Sequence, residues 1–194
     1  MTNSADLIGA GQAPAAEGDE PGERDPFASI AGRALGGEEP IALEAELLCN
    51  LARRVGAERA CLADAAGSTG RMCVRHEIVQ GRSVGAGLDR CLGEPRSWGE
   101  EQSRPQRIEN AAEDPRLVGL APLGALRDRS ALALPLWRDG VLRRLLVLVL
   151  REPADDFVCD LAQQAGELAL ELEARAMSDR ALRARAESSI TKVV

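Results

Sequence analysis

Five cysteines and a single histidine are the side chains in this sequence best suited to redox, nucleophilic or metal chemistry. No two of the cysteines form a Cys-x-x-Cys pair, and His76 is alone. A zinc site needs several ligands at short, regular spacing, and a Ser-His-Asp set needs a histidine held between two partners. The sequence therefore predicts neither a metal site nor a catalytic set, and we expect the protein not to be an enzyme.

Glycines and a tryptophan in the middle of the chain are candidates for ligand binding. Gly85 and Gly87 precede a short helix expected at Leu88, and their backbone N–H groups could face an anion or a carbonyl oxygen. A turn that needs positive φ explains the same glycines. Trp98 lies in a polar segment, where its ring could stack on a ligand or pack on the domain surface. Both pairs of interpretations stay open.

Arg127, Arg129 and Ser130 lie where a predicted strand begins, so their side chains could point into a pocket. Arginine binds carboxylates and phosphates through paired hydrogen bonds, which would suit an acidic or phosphorylated ligand. A solvated loop explains the run as well, because Asp128 lies within it. His76 alternates into another predicted strand, where an exposed or hydrogen-bonded histidine is expected.

Charge and composition exclude several classes of partner. The formal net charge is −7, and residues 1–38, rich in Gly, Ala, Pro and acidic side chains, are predicted to be a disordered tail. Phosphate binding needs a basic face, so no nucleic acid partner is expected. No secretory signal or bilayer-length apolar run is visible, and the number of cysteines is odd. We therefore expect a cytoplasmic protein without membrane contact.

Hydrophobic periodicity predicts the elements that position these residues. A helix is predicted over 41–54, ended by Gly56, with an apolar face made of Ile41, Ala45, Leu48, Leu51 and Val55. Two strands flank the turn AAGSTG, and two more flank the turn at Asp139–Gly140. Between these pairs, QRIEN is predicted to be a short strand and Pro115 to start a helix. The result is an antiparallel sheet with a helix before it and after it.

A second, longer helix is predicted from Asp155 to about Glu187. Its apolar stripe consists of Phe157, Leu161, Leu168, Leu172 and Ala176. At about 1.5 Å per residue this helix would be about 45 Å long, which is longer than one small domain needs. We therefore expect a homodimer that forms through segments 41–55 and 155–187.

The order of these elements resembles the GAF domain family, small-molecule sensor modules related to PAS domains. Four stretches between about Glu44 and Glu173, or close to these bounds, are similar to family segments in the family's order: RVGAERACLADAAG, SVGAGLDRCLGEPR, RPQRIENAAEDPRL, and the run from LRDRSALALPLW to GELALEL, which resembles the family's last two strands and final helix. The resemblance implies an α+β fold, α/β in the broader sense, with a GAF-like antiparallel sheet flanked by N- and C-terminal helices. It places the domain at residues 39–175 and a helical extension with a frayed C-terminus at 176–194.

The same resemblance implies that Arg107–Trp137 forms the wall and roof of a ligand pocket. Together with the candidates above, the expected binding residues are Gly85, Gly87, Leu88, Trp98, Asn110, Asp114, Arg127 and Ser130. GAF domains bind very different ligands with little shared pocket sequence, so the ligand and any cofactor stay unknown. The implied function is a regulatory module that binds a small molecule and signals through its dimer helices to an unknown partner protein.

Two alternatives remain open, and one departure stands out. A GAF domain with a filled interior would act only as a dimerising scaffold. Some GAF proteins reduce free methionine sulfoxide with three pocket cysteines; Cys73 and Cys91 are similar to two of these, but LAPLGALRDRS lacks the third. The family usually has a small residue near the start of the last strand, where this chain has Arg143–Arg144. We expect this pair to alter the sheet edge or a partner surface.

Overall fold

The computed structural model describes residues 25–66, 71–84, 91–92, 98, 104–120 and 123–191. The helices in these ranges are α1 (Ala28–Leu35), α2 (Pro40–Arg54), α3 (Leu123–Leu126) and α4 (Asp156–Thr191). The strands are β1 (Arg59–Ala66), β2 (Arg71–Val79), β3 (Arg82–Ser83), β4 (Cys91–Leu92), β5 (Gln106–Ile108), β6 (Ser130–Arg138) and β7 (Val141–Leu150). A short 3-10 turn, Pro115–Leu117, precedes α3.

The strands form one antiparallel sheet in the order β3-β2-β1-β7-β6-β5, and β4 also pairs with β2. The first and last long strands lie side by side in its middle, in register from Arg59 opposite Val149 to Asp64 opposite Arg144. This confirms the predicted antiparallel sheet with helices at either end of the chain.

The two faces of the sheet bury different sets of side chains, because successive residues of a strand point in opposite directions. On the first, called here the helix face, residues such as Leu62, Leu134 and Leu148 pack against α1, α2 and α4. On the second, the loop face, residues such as Ala133 and Val147 pack against the 3-10 turn, α3 and the segment that holds Trp98. A ligand pocket of the predicted kind would lie on the loop face.

Helix α2 begins at Pro40, whose fixed φ suits the first turn, and ends before Gly56, which has φ +65°. The helix predicted over 41–54 is therefore confirmed, but its buried face is rotated from the predicted one. Leu43 and Leu47 are buried, whereas Ile41 is 38% exposed. The buried face also contains Glu44, which is fully buried. The apolar periodicity of the helix does not predict a charged residue at a buried position.

The β6–β7 hairpin turns at Asp139 and Gly140, which have φ of +52° and +71°. Positive φ at both central residues defines a type I′ turn, the geometry that matches the twist of the two strands, so this prediction is confirmed. The helix predicted at Pro115 is shorter than expected. It is a 3-10 turn of three residues, capped by the Asp114 carboxylate, which accepts a hydrogen bond from the Arg116 backbone at 2.8 Å.

Part of the predicted tail belongs to the folded domain. Residues 28–35 form α1, and the side chains of Phe27, Ile30 and Ala34 are buried against the helix face. Residues 1–38 are polar on average, but they include three apolar residues at helical spacing. These are sufficient for an amphipathic helix of two turns. The domain therefore extends at least to this helix; residues 1–24 lie outside the described part of the chain.

Helix α4 begins beside Asp155, whose carboxylate accepts a hydrogen bond from the Val158 backbone at 2.8 Å. Its 36 residues span about 54 Å at about 1.5 Å per residue. Leu161, Leu168 and Leu172 are buried as predicted, whereas Phe157 is 54% exposed because it precedes the contact with the sheet. Within the described ranges no helix combines the length and apolar character required to cross a membrane.

Candidate functional site

The loop face is closely packed where the structure describes it. Small residues from the sheet, including Cys61, Ala63 and Ala131, form its floor. Larger side chains cover them, and these are Trp98, Leu117, Leu120 and Leu126, each at most 1% exposed. The bulky side chains occupy the space above the small residues of the sheet, so the described part of the loop face is filled by the protein's own side chains.

Trp98 is the centre of a polar cluster at the edge of this packing. Its backbone carbonyl accepts a hydrogen bond from Gln106 Nε2 at 2.9 Å, and the guanidinium carbon of Arg116 lies 4.7 Å from the centre of its ring. Arg116 Nη1 also donates to Gln106 Oε1 at 2.8 Å. The indole Nε1 is buried and has no hydrogen-bond partner among the described residues. Trp98 is therefore a core residue held by a cation–π contact, and its indole N–H is a hydrogen-bond donor without an acceptor among the described residues.

Asp114 fixes the arginine of this cluster. Its carboxylate accepts hydrogen bonds from Arg116 Nε at 3.0 Å and Nη2 at 2.6 Å. The hydrogen bonds from Arg116 lower the pKa of Asp114, and the same contact raises the pKa of Arg116. Both side chains are thus held charged, and the Asp-Pro-Arg sequence places a fixed cation over the Trp98 ring.

The other predicted binding residues do not join this cluster. Asn110 is exposed, and its side chain accepts a hydrogen bond from the Ala112 backbone at 3.2 Å, closing a local turn. Arg127 is exposed on the loop after α3. Ser130 is buried on the helix face, where its hydroxyl donates to the Glu152 carbonyl at 2.5 Å, so it does not face a loop-face pocket. Predicted residues Gly85, Gly87 and Leu88 lie outside the described residues.

An ion pair is buried beneath the loops at the start of β1. Arg59 Nη1 contacts the carboxylate of Glu77, and Glu77 is 2% exposed. The neighbouring thiol of Cys61 is fully buried, and this burial, reinforced by the charge of Glu77, raises its pKa to about 12. Because the thiolate is the reactive form, Cys61 is not a nucleophile.

Cys73 and Cys91 are brought together as directly opposed residues of β2 and β4. This places two of the three positions that resemble the sulfoxide-reducing GAF proteins at one site on the sheet. No group of three His, Cys, Asp or Glu side chains in the described part of the chain is arranged to hold a metal ion.

The helix face contains a second polar cluster, which the sequence patterns did not reveal. Glu44 of α2 accepts a hydrogen bond from His76 Nε2 at 3.1 Å and lies 3.2 Å from Arg75 Nε and 3.0 Å from Arg144 Nη1. Arg75 donates to Asp64 at 2.8 Å. We call these five residues the ionic network. It joins α2 to strands β1, β2 and β7, and its only sequence signal is charged residues within otherwise apolar strand and helix patterns.

Arg144 extends the ionic network to α4. Its Nη1 donates to the carbonyl of Ala169 at 3.1 Å, and its Nε lies 3.1 Å from Asp64 and 3.8 Å from Glu173. Burial acts to raise the pKa of Glu44, but the hydrogen bond from His76 and the charges of Arg144 and Arg75 outweigh it, and the pKa is lowered. The arginines and carboxylates of the network thus compensate one another's charges in a largely buried site.

The fold is that of known GAF domains. The chain is 17% identical to the GAF domain of a phosphoenolpyruvate-protein phosphotransferase from Coxiella burnetii, with a TM-score of 0.57, covering 82% of this chain and 95% of that one. It is 13% identical to the phycoerythrobilin-bound GAF domain of a cyanobacterial phytochrome, with a TM-score of 0.61 and coverages of 80% and 96%. The protein therefore has a GAF-like α+β fold.

A third similar structure is an enzyme. It is the free methionine-R-sulfoxide reductase from Neisseria meningitidis, 19% identical, with a TM-score of 0.53 and coverages of 82% and 90%. No family model and no curated protein matches the sequence. The comparisons thus support a GAF-type module, but a shared fold does not define the activity.

Proposed function

We propose that this protein is a regulatory GAF-type module that works as a homodimer, binds a small molecule and passes the bound state to a separate protein through α4. The observation that carries this proposal is a stripe along α4 made of Leu170, Ala174, Met177 and Ala181, called here the α4 stripe. Its spacings of four, three and four residues are those of a coiled-coil seam. Met177 is 52% exposed, and Ala181 is exposed as well.

The C-terminal half of this stripe, Met177 and Ala181, is exposed, whereas Leu170 packs partly against the helix-face core. Helix α2 already buries Leu43, Leu47 and Leu51 against its own sheet and α4, so it contributes the neighbouring surface rather than the seam. Small residues such as Ala174 and Ala181 allow two copies of the helix to approach closely. A pair of α4 helices would project from the two sheets toward a downstream protein.

The ionic network supports a signalling role for α4. Arg144 contacts the middle of this helix and, through Asp64 and Glu44, the strands and α2. A shift of the central strands on ligand binding would change these contacts and therefore favour one position of α4 over another. Cys49, Cys61 and Cys159 are free thiols, which supports a reducing, cytoplasmic location.

Sedimentation velocity on the 194-residue chain tests the dimer. We expect a dimer whose dissociation constant rises at least about tenfold in Ala181→Glu, because the change sets like charges against each other across the seam. Gln164→Glu adds the same charge at an exposed position of α4 away from the stripe, and we expect it to leave the dimer intact. A monomeric wild type, or equal effects of both changes, contradicts the proposal.

A dimerising scaffold is the second candidate, and the packed loop face favours it. Native mass spectrometry, before and after denaturation, separates the two functions. A dimer that carries an extra mass lost on denaturation supports the ligand-binding module. A dimer that carries none, and that gains none when incubated with a metabolite extract, supports the scaffold.

A further inference from the structure

A cleft of about 360 Å³ opens on the helix face between the C-terminal half of α4 and the ends of β1 and β7. Arginines dominate its polar lining: Arg75, Arg143, Arg144 and Arg180. Val141, Ala176 and Met177 provide apolar lining. Its volume is within the range typical of small-molecule sites. It lies on the opposite side of the sheet from the Trp98 cluster.

A β-bulge builds the floor of this cleft. Leu136 of β6 pairs with Arg144, but the next residue, Trp137, pairs with Leu142, so Arg143 is an extra residue with no partner across the strands. Bulges re-aim side chains locally. Here the bulge lets two consecutive residues, Arg143 and Arg144, both line the cleft. The arginine pair that departs from the GAF pattern thus has a structural consequence.

The charges around the cleft are unequal. The four arginines face two carboxylates in the lining, Asp64 and Glu173, and the carboxylate of Glu44 lies directly behind. With all of these groups ionised, one positive charge is left without a counter-charge. The surplus contrasts with the net charge of −7 of the chain as a whole.

Two of the arginines carry this surplus. Arg75 and Arg144 are paired with carboxylates of the ionic network, whereas neither Arg143 nor Arg180 forms an ion pair with any described residue. Nε of Arg143 is buried and has no hydrogen-bond partner among the described residues. An unsatisfied buried donor on a charged group is costly, and an anionic ligand oxygen would satisfy it.

We infer that this cleft binds a small organic carboxylate, with its carboxylate held by Arg143 and Arg180 and its apolar body against Val141 and Ala176. A single negative charge on the ligand offsets the one surplus positive charge of the cleft and its surroundings. The planar guanidinium fork of arginine matches the geometry of a carboxylate. This site does not involve a loop-face pocket, and it meets the α4 stripe at Met177, which belongs to both surfaces.

The test uses 3-phenylpropionate as the probe. Its binding to the 194-residue chain is measured by NMR titration that observes the protein signals. Two matched compounds separate the contributions: 3-phenylpropionamide has the same body without the charge, and acetate has the charge without the body. We expect 3-phenylpropionate to bind and both comparison compounds to bind at least about tenfold more weakly.

Single substitutions locate the site. We expect Arg143→Ala and Arg180→Ala each to weaken 3-phenylpropionate binding about tenfold, the loss of one charged hydrogen-bonding group. Arg183→Ala, on an exposed part of α4 outside the cleft lining, should leave binding unchanged. Arg180 is exposed, so its variant tests the site even if Arg143→Ala fails to fold. No binding of the probe, or equal binding by wild type and Arg180→Ala, overturns the inference.

Discussion

Nη1 of Arg144 lies 3.0 Å from Oε1 of Glu44, and neither residue is more than 1% exposed. A guanidinium from the last strand and a carboxylate from α2 therefore meet inside the domain. Burying such a pair costs desolvation energy that its attraction roughly offsets, but removing one partner leaves the other charge uncompensated. The pair thus makes the position of α2 depend on that of β7.

Glu44→Gln should destabilise the fold by about 3 kcal/mol, because it leaves Arg144 and Arg75 without their shared counter-charge in a buried site. Chemical denaturation measures the change in the free energy of unfolding. Glu46→Gln is the matched control on the same helix, since Glu46 pairs with Arg33 at the surface and should matter far less. Equal effects of the two substitutions would show that the buried network is not what holds α2.

The stability of the wild type should fall more steeply in acid than that of Glu44→Gln. The pKa of Glu44 is lowered in the folded state, so its contribution is fully present above the unfolded pKa, near 4.5, and is lost as the pH falls through the folded pKa. The difference in unfolding free energy between the two proteins should therefore be constant at neutral pH and shrink as the pH falls below about 4.5. Parallel pH profiles would contradict the assignment.

Gly166→Ala should destabilise the protein by about 1–3 kcal/mol through overpacking. A Cβ at Gly166 would lie 2.6 Å from Leu136 Cδ2 and 2.9 Å from Leu134 Cδ2, and both leucines are buried in the core. Gly32→Ala in α1 meets no atom within 4 Å and should stabilise by about 0.5–1 kcal/mol, the helix-propensity gain. Thermal unfolding distinguishes them; stabilisation by both would mean that α4 can move away from the sheet.

Cys61 should resist modification in the native protein, because its thiol is fully buried and its pKa is raised to about 12. Reaction with a thiol-specific alkylating reagent at neutral pH, followed by peptide mass mapping, measures this site by site. Cys49 and Cys159, which are partly exposed, provide the internal comparison. Labelling of Cys61 at the rate of Cys159 would show that the loop face opens readily.

The fold was largely predictable because its signals are local. The alternation and the Asp139–Gly140 turn define the β6–β7 hairpin, and the helical spacing after Pro40 defines α2. What escaped prediction depends on tertiary contacts. Ser130 lies on the helix face because register, not strand position, decides orientation. The role of Arg116 depends on the approach of Trp98, and that of Arg143 on the bulge that it forms in the β6–β7 pairing.

Disulfide cross-linking of Ala181→Cys is the most direct test of the central claim that two α4 helices pair along the α4 stripe. Under mild oxidation we expect an intermolecular disulfide in high yield, since residues of a coiled-coil seam face their own copies in a parallel dimer. Arg183→Cys, exposed on the other side of the helix, and the wild type with its native cysteines are the controls. Cross-linking of Ala181→Cys above both controls is the result that the paired α4 predicts. Cross-linking no greater than in the controls would contradict it.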